Sequence, residues 1–305
     1  MNKYTSKSIN AYAENPSLFF EECSGEYHRK VKAVAQNIFN DVSKKIILLA
    51  GPSSSGKTTT ASILSRYIGG FGGKAYTVSL DDFYHPHSVG YPLDENGKPD
   101  YECVEALDIP LLHEKLLELI TKSRAEIPVF DFKSGEREEN AKVIELCEND
   151  VIIVEGLHAL NPVITDTLSE ENLYKIYVSV SSRVYDENGG VLLSKRDLRF
   201  IRRMLRDFSF RSSPVEKTFD IWQSVMRGED KYLFPFKEFA DIKLDSFHPC
   251  EPCVFAERAK NLLYGIDNGR YAEKAPQDIM HSCPCSLTFD ICKEQNEDTD
   301  YEGYR

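Results

Sequence analysis

Residues 46–64 read IILLAGPSSSGKTTTASIL: an apolar run breaks into a loop of glycine and serine, then into helix-like spacing. Within it Gly51, Gly56, Lys57 and Thr58 match the spacing GxxxxGK(S/T), and the context is the one this motif requires, a buried strand before and a helix after. The chemistry explains the residue types. Backbone N–H groups curl around phosphate oxygens only where the chain takes conformations that glycine adopts freely. The helix that begins near Lys57 adds the positive end of its dipole. Gly51, Ser53, Ser54, Ser55, Gly56, Lys57, Thr58 and Thr59 are therefore expected to cradle a nucleoside triphosphate, with Lys57 at the β- and γ-phosphates and the Thr58 hydroxyl on Mg²⁺.

Ligands of open α/β sheets sit beyond the carboxyl ends of the strands, so the residues that follow each apolar run matter next. KAYTVSL (74–80) delivers Asp81 and Asp82, followed by Phe83 and Tyr84; VIIV (151–154) delivers Glu155, followed by Gly156. Carboxylates there suit two tasks: accepting a proton from a hydroxyl that attacks the γ-phosphorus, and holding magnesium or its water. Thr58 and Glu155 are the expected metal ligands, with Asp81 a further candidate. The plainer role for a carboxylate at a strand end is to cap the next helix.

In KRDLRFIRRMLRDFSFR (195–211), Arg196, Arg199, Arg203 and Arg206 share one helical face, and Leu198, Ile201, Leu205 and Phe208 share the neighbouring one. Asp197 and Asp207 are the only acids in this stretch of a chain whose net charge is −12, so an ordinary solvated face of mixed charge explains it poorly. A basic face on a movable lid, spanning about 183–215, would neutralise a transferring phosphoryl group and exclude water.

The 305 residues, 41% of them hydrophobic, can fill a sizeable core. The negative balance argues against a nucleic-acid partner met over a broad basic surface. No run of about 18 apolar residues suits a membrane span. A cytoplasmic protein with reduced cysteines is expected. Residues 1–44 read as a helical arm with Val31, Val34, Ile38 and Val42 on one face. Residues 45–247 alternate strands with helices, the pattern of a parallel α/β sheet flanked by helices. Residues 248–305 form an extension whose acidic end is expected to be disordered. There Cys250 and Cys253, with Cys283, Cys285 and His281, are candidate zinc ligands, against the plainer alternative of free thiols.

The succession GPSSSGKTT, SLDDFY, PDYECVEALD, IPVFDF, VIIVEGLHALNP and RRMLRD resembles, in order, the uridine kinase and phosphoribulokinase family of P-loop kinases, and the later stretch TFDIWQSVMRGEDKYLFPFKEFAD is similar to bacterial uridine kinase-like proteins. The resemblance implies ATP and Mg²⁺, and transfer of the γ-phosphoryl group to a small-molecule hydroxyl, a nucleoside 5′-hydroxyl first. It puts the catalytic base on Asp81 and a magnesium-holding glutamate on Glu155. Lid arginines fall on Arg203, Arg206 and Arg211, which join Lys57 as catalytic groups. The acceptor site falls on Asp81, Tyr84, Tyr101, Glu102 and Phe130. The chain departs from the family at Glu102, where aspartate is usual, at Phe130, where tyrosine is usual, and at Gly135, where histidine is usual. It departs again after Arg211, where RSSP replaces a glycine and a further basic residue. Unless neighbours such as Lys133, Glu136 or Arg137 read the base, the expectation is poor discrimination between uridine and cytidine, or preference for an acceptor that is not a pyrimidine nucleoside.

Two alternatives stay open from the residues: a kinase of another small alcohol or sugar in the same family, and an ATP-binding regulator without transfer activity. A GTPase switch would carry an NKxD segment after a late strand, and only Asn2-Lys3 at the terminus comes near it. Lys57, Thr58, Asp81 and Glu155 argue against a silent scaffold. A homo-oligomer is compatible with the resemblance, and no interface is legible.

Overall fold

A computed structural model describes residues 4–264. The arm contains β1 (Tyr4–Thr5), α1 (Ser6–Tyr12) and α2 (Pro16–Asn40). The expected α/β region follows with β2 (Ile46–Ala50), α3 (Lys57–Gly70), β3 (Ala75–Ser79), α4 (Ile109–Lys122), β4 (Arg124–Asp131), β5 (Glu136–Glu145), β6 (Val151–Gly156) and β7 (Leu173–Ser179). Then come β8 (Val184–Tyr185), β9 (Val191–Leu193), α5 (Lys195–Arg211), α6 (Val215–Tyr232), β10 (Ile242–Asp245) and α7 (Glu251–Tyr264).

The central sheet has the order β10-β7-β2-β6-β3, and every pair in it is parallel. Strands covered on both faces need apolar residues at every position, and β2 is buried throughout. Ile46, Leu48 and Ala50 pack with Leu112, Leu116 and Leu119 of α4. Ile47 and Leu49 turn to the other face, where they meet Val31, Val34 and Ile38 of α2 and Leu64 and Ile68 of α3. The side-chain alternation of a strand thus builds two cores from one segment.

Helix α2 begins where the sequence supplies both start signals, an Asn15 side chain accepting from the Leu18 amide at 3.4 Å and Pro16 in the first turn. It ends at Asn40, so the helical face expected to include Val42 stops one turn short: Val42 lies past the cap and is 75% exposed. A third hydrophobic cluster joins Ile9 and Phe19 of the arm to Leu198 and Ile201 of α5, Trp222 of α6 and Phe255 of α7. It runs across the boundaries expected at 44 and 247. Cys250 and Cys253 are buried within it. Cys283, Cys285, His281 and the acidic end lie outside the described residues.

The sequence pattern does not announce β4 and β5, which form an antiparallel hairpin carrying Phe130. Among the described residues no helix is long and apolar enough to cross a membrane.

The boundary of α2 is testable by denaturant unfolding. Ile38→Ala, which empties a fully buried site, should cost about 2–5 kcal/mol. Val42→Ala should change stability by less than about 0.5 kcal/mol. Equal effects would contradict the helix end described here.

Candidate active site

Strand register brings the expected chemistry to one edge. Glu155 of β6 lies beside Leu49 of β2 and Ser79 of β3, and Gly156 lies beside Ala50. The phosphate loop, Glu155 and Asp81 therefore leave adjacent strand ends, although about a hundred residues separate the first from the second. Gly56 opens α3 with φ +87°, a left-handed conformation that costs glycine nothing. The Lys57 ammonium donates to the Gly51 carbonyl at 2.9 Å, which arches it over the loop. The Ser54 and Ser55 hydroxyls are buried with no hydrogen-bond partner among the described residues. Thr58 is exposed at the first turn of α3, and it shares with Thr59 a cavity of about 410 Å³.

Asp81 sits in a 3₁₀ turn, Leu80–Phe83, that the Ser79 hydroxyl caps by accepting from the Asp81 amide at 3.3 Å. Asp81 is exposed as a residue, yet the protein gathered around its carboxyl group partly desolvates it and raises its pKa, with Lys57 and Arg211 acting in the opposite sense. Glu155 is raised for the same reason, with Lys57 opposing and Asp81 and Asp82 reinforcing. The neighbouring Asp82 points elsewhere and accepts from the Phe130 amide at 3.4 Å, tying the turn to β4. Glu102 is half-buried and pushed up to about 7 chiefly by burial, against the pull of Arg203 and with added repulsion from Asp81, Glu229 and Asp100. Its segment is fixed by His158, whose Nε2 lies 2.9 Å from the Glu102 carbonyl, and by Tyr232, which donates to Asp100 at 2.8 Å. The Tyr84 hydroxyl donates to the Tyr101 carbonyl at 2.6 Å, and the Tyr84 ring lies 5.7 Å from that of Phe130. Asp81 is thus within electrostatic reach of Lys57, Glu102, Glu155 and Arg211, and Glu102 within reach of Arg203.

The arginine helix differs from the expected free basic face. Arg196 pairs with Asp230 at 2.7 Å on the outside. Arg199 is 3% exposed and forms a two-pronged pair with Glu229, itself 1% exposed, at 2.6 and 2.7 Å. Glu229 also accepts from the Ser53 amide at 2.8 Å, and Arg199 donates to the Ser53 carbonyl at 3.1 Å. Arg202 joins Glu251 at 2.6 Å and the Ser246 carbonyl at 2.7 Å. Arg202 also donates to the Ser54 carbonyl at 3.3 Å, so Arg199 and Arg202 both hold the backbone of the phosphate loop. Arg203, Arg206 and Arg211 instead converge on Asp207, at 3.2, 2.7 and 3.7 Å, and Arg203 also donates to the Ser53 hydroxyl at 2.6 Å. Phe208, expected on the packed face, is 49% exposed because α5 has outrun its neighbours there.

Glu229 and Asp207 were missed as site residues by sequence reasoning, and Arg199, expected on the basic face of the lid, is instead paired with Glu229 under the loop. Asp207 had a legible signal, since it stands four residues from both Arg203 and Arg211. Glu229 had none, because its partner lies thirty positions away in another helix.

A double-mutant cycle tests the clamp. Arg199→Ala or Glu229→Ala alone should cost about 3–5 kcal/mol, because each strands a buried charge. The double variant should cost much less than the sum. Additive losses in urea unfolding would contradict a shared pair.

Comparison with known proteins matches this geometry. The profile of the Phosphoribulokinase / Uridine kinase family matches residues 46–250. A protein named uridine kinase from Geobacillus sp. (strain WCH70) is 31% identical over 198 residues, 65% of this chain and 83% of that one. One of the same name from Staphylococcus aureus (strain JH9) is 32% identical over 201 residues, 65% and 85% of the two chains. A crystal structure described as a putative fructose transport system kinase from Silicibacter sp. TM1040 shares the fold, with TM-score 0.51 and 17% identity over 70% of this chain and 98% of that one. The chain belongs to the Phosphoribulokinase / Uridine kinase family, and it is an ATP-dependent P-loop kinase.

Proposed function

We propose that this protein transfers the γ-phosphoryl group of ATP to the 5′-hydroxyl of a nucleoside. The observation that carries this reading is an aromatic cluster beside Asp81. Tyr84 lies 5.7 Å from Phe130 and 5.8 Å from Phe132, Tyr91 lies 4.8 Å from Tyr101, and His87 lies 6.2 Å from Phe130. Flat faces of this kind suit a planar base. The carboxylates of Asp81 and Glu102 next to them suit the hydroxyls of a sugar. The name of the curated relatives, uridine kinase, points the same way.

In this reading Asp81 takes the proton of the acceptor hydroxyl as its oxygen bonds to the γ-phosphorus and ADP departs. Dehydration makes the Asp81 carboxylate a stronger base than one in water. Lys57 and the arginines Arg203, Arg206 and Arg211 offset charge on the phosphoryl oxygens. A hydroxyl and a carboxylate, Thr58 and Glu155, are hard oxygen ligands that suit Mg²⁺. When bound, that ion would neutralise phosphate charge. Among the described residues no three of His, Cys, Asp or Glu gather as a metal site.

Reading of the base falls on unexpected residues. A Cβ added at Gly135 would lie 2.0 Å from His87 Nδ1, and the His87 amide donates to the Gly135 carbonyl at 2.9 Å. A histidine from another loop thus occupies the space that a side chain at 135 would take. Arg137 is committed to Asp108 at 3.1 Å and Glu139 at 2.7 Å, so it is not free to serve. Lys133 and Glu136 are exposed.

Asp81→Asn should keep ATP binding, measured by calorimetry, and lose turnover by a factor of roughly 10² or more. Near-normal turnover in that variant would refute the base assignment. Across nucleosides, kcat/KM for uridine and cytidine should differ by less than about 10². A preference for a simple sugar over every nucleoside would favour the small-alcohol alternative.

Glu102 gives a pH signature. With a free-protein pKa raised to about 7, it is protonated below that pH and ionised above it. If the ionised carboxylate accepts hydrogen bonds from the acceptor, kcat/KM for the acceptor rises through about pH 7, and Glu102→Gln removes that step. A step that survives in Glu102→Gln belongs to another group.

A further inference from the structure

The cavity beside the phosphate loop has a wall that the matched family region does not contain. It reaches from Lys57 and Thr58 past Arg66 of α3 to Ser24, Tyr27 and His28 of α2. Helix α2 ends at Asn40, before residue 46, where the family match begins. The helix is fixed here by contacts of its own. The buried Tyr27 hydroxyl lies 2.6 Å from the Thr60 hydroxyl, and its ring meets that of His248 edge-on at 5.1 Å. That anchor sets the helix's rotation. Ser24 and His28, one turn apart and so on one face, both border the cavity and are half-buried.

Both residues carry a polar atom that no described residue engages. His28 Nδ1 lies 3.1 Å from the Tyr67 hydroxyl, which fixes the ring and leaves Nε2 as the nitrogen without a hydrogen bond among the described residues. The Ser24 hydroxyl likewise makes none there. Burial and the nearby Arg66 hold the His28 pKa below the usual histidine value, so the ring is neutral at neutral pH and offers one nitrogen as donor or acceptor. The other end of the cavity carries the loop's amides and Lys57, the end suited to phosphates. Beside Arg66, the Ser24 hydroxyl and the neutral His28 ring give this end two uncharged hydrogen-bonding groups, which suit the edge of a heterocycle.

We infer that α2 completes the nucleotide site, and that Ser24 and His28 read the hydrogen-bonding edge of the purine base of the phosphoryl donor. The inference rests on a nucleoside triphosphate as donor and is independent of the acceptor's identity.

The test is calorimetric binding to the full chain of ATP, GTP and inorganic tripolyphosphate, which has the phosphates and no base. Ser24→Ala and His28→Leu should each weaken ATP by about fivefold or more and narrow the gap between ATP and GTP, while tripolyphosphate affinity stays within about twofold. Unchanged ATP affinity in both variants overturns the inference. So does a parallel loss of tripolyphosphate, which would mean that α2 acts only by supporting the loop. Failure of the unaltered protein to bind either triphosphate would overturn the donor assignment beneath it, whatever the acceptor is. Because no acceptor is present, a wrong nucleoside assignment leaves every one of these results untouched.

Discussion

The phosphate loop keeps its shape because a buried ion pair grips it from outside. Arg199 and Glu229 hold both the carbonyl and the amide of Ser53, and both side chains are almost fully removed from water. Burying two charges is costly unless their geometry and remaining hydrogen bonds are nearly complete. Here the two-pronged contact and the two bonds to Ser53 supply that completeness. The loop, α5 and α6 are consequently one mechanical unit, and Arg202 extends it to α7 through Glu251. What the sequence presents as a row of similar arginines divides into two groups, one locked beneath the loop and one gathered on Asp207.

The second group is the one that the proposed reaction engages. Arg203, Arg206 and Arg211 share a single buried carboxylate, so the local charge is strongly positive. In the proposed reaction the phosphoryl oxygens compete with Asp207 for these guanidinium groups. Asp81 and Glu155 lie close to Lys57, Glu102 lies close to Asp81, and burial lifts the pKa of each carboxylate. The cleft therefore sets an anion-seeking wall against an acidic one. A polyphosphate and a polyhydroxyl acceptor are the pair of ligands that such walls would bring together.

Much of this was legible in the sequence, and the boundary is physical. The phosphate loop, the parallel sheet and the strand-end carboxylates depend on local pattern and on the rule that strands end at one edge. A single stretch, 46–64, therefore implied the centre of the fold. Val42 and Phe208 show the limit of periodicity, which gives a face but not the point at which a helix stops or outruns its neighbour. Glu229, His87 and the β4–β5 hairpin were illegible because their meaning lies in contacts between distant segments. Gly135 appeared as the loss of a polar group, yet the fold places His87 in that space. Ser24 and His28 lay in an arm that sequence pattern assigned only to packing.

The central claim is that the γ-phosphoryl group moves to a nucleoside 5′-oxygen. It is tested most directly by turnover with ATP carrying ¹⁸O on its γ-phosphoryl group, with a nucleoside as acceptor, followed by mass spectrometry and fragmentation of the products. The account predicts a nucleoside 5′-monophosphate whose phosphoryl oxygens carry the label, with the bridging 5′-oxygen unlabelled because it comes from the acceptor. Label found only in inorganic phosphate, or on a hydroxyl other than the 5′, would contradict it.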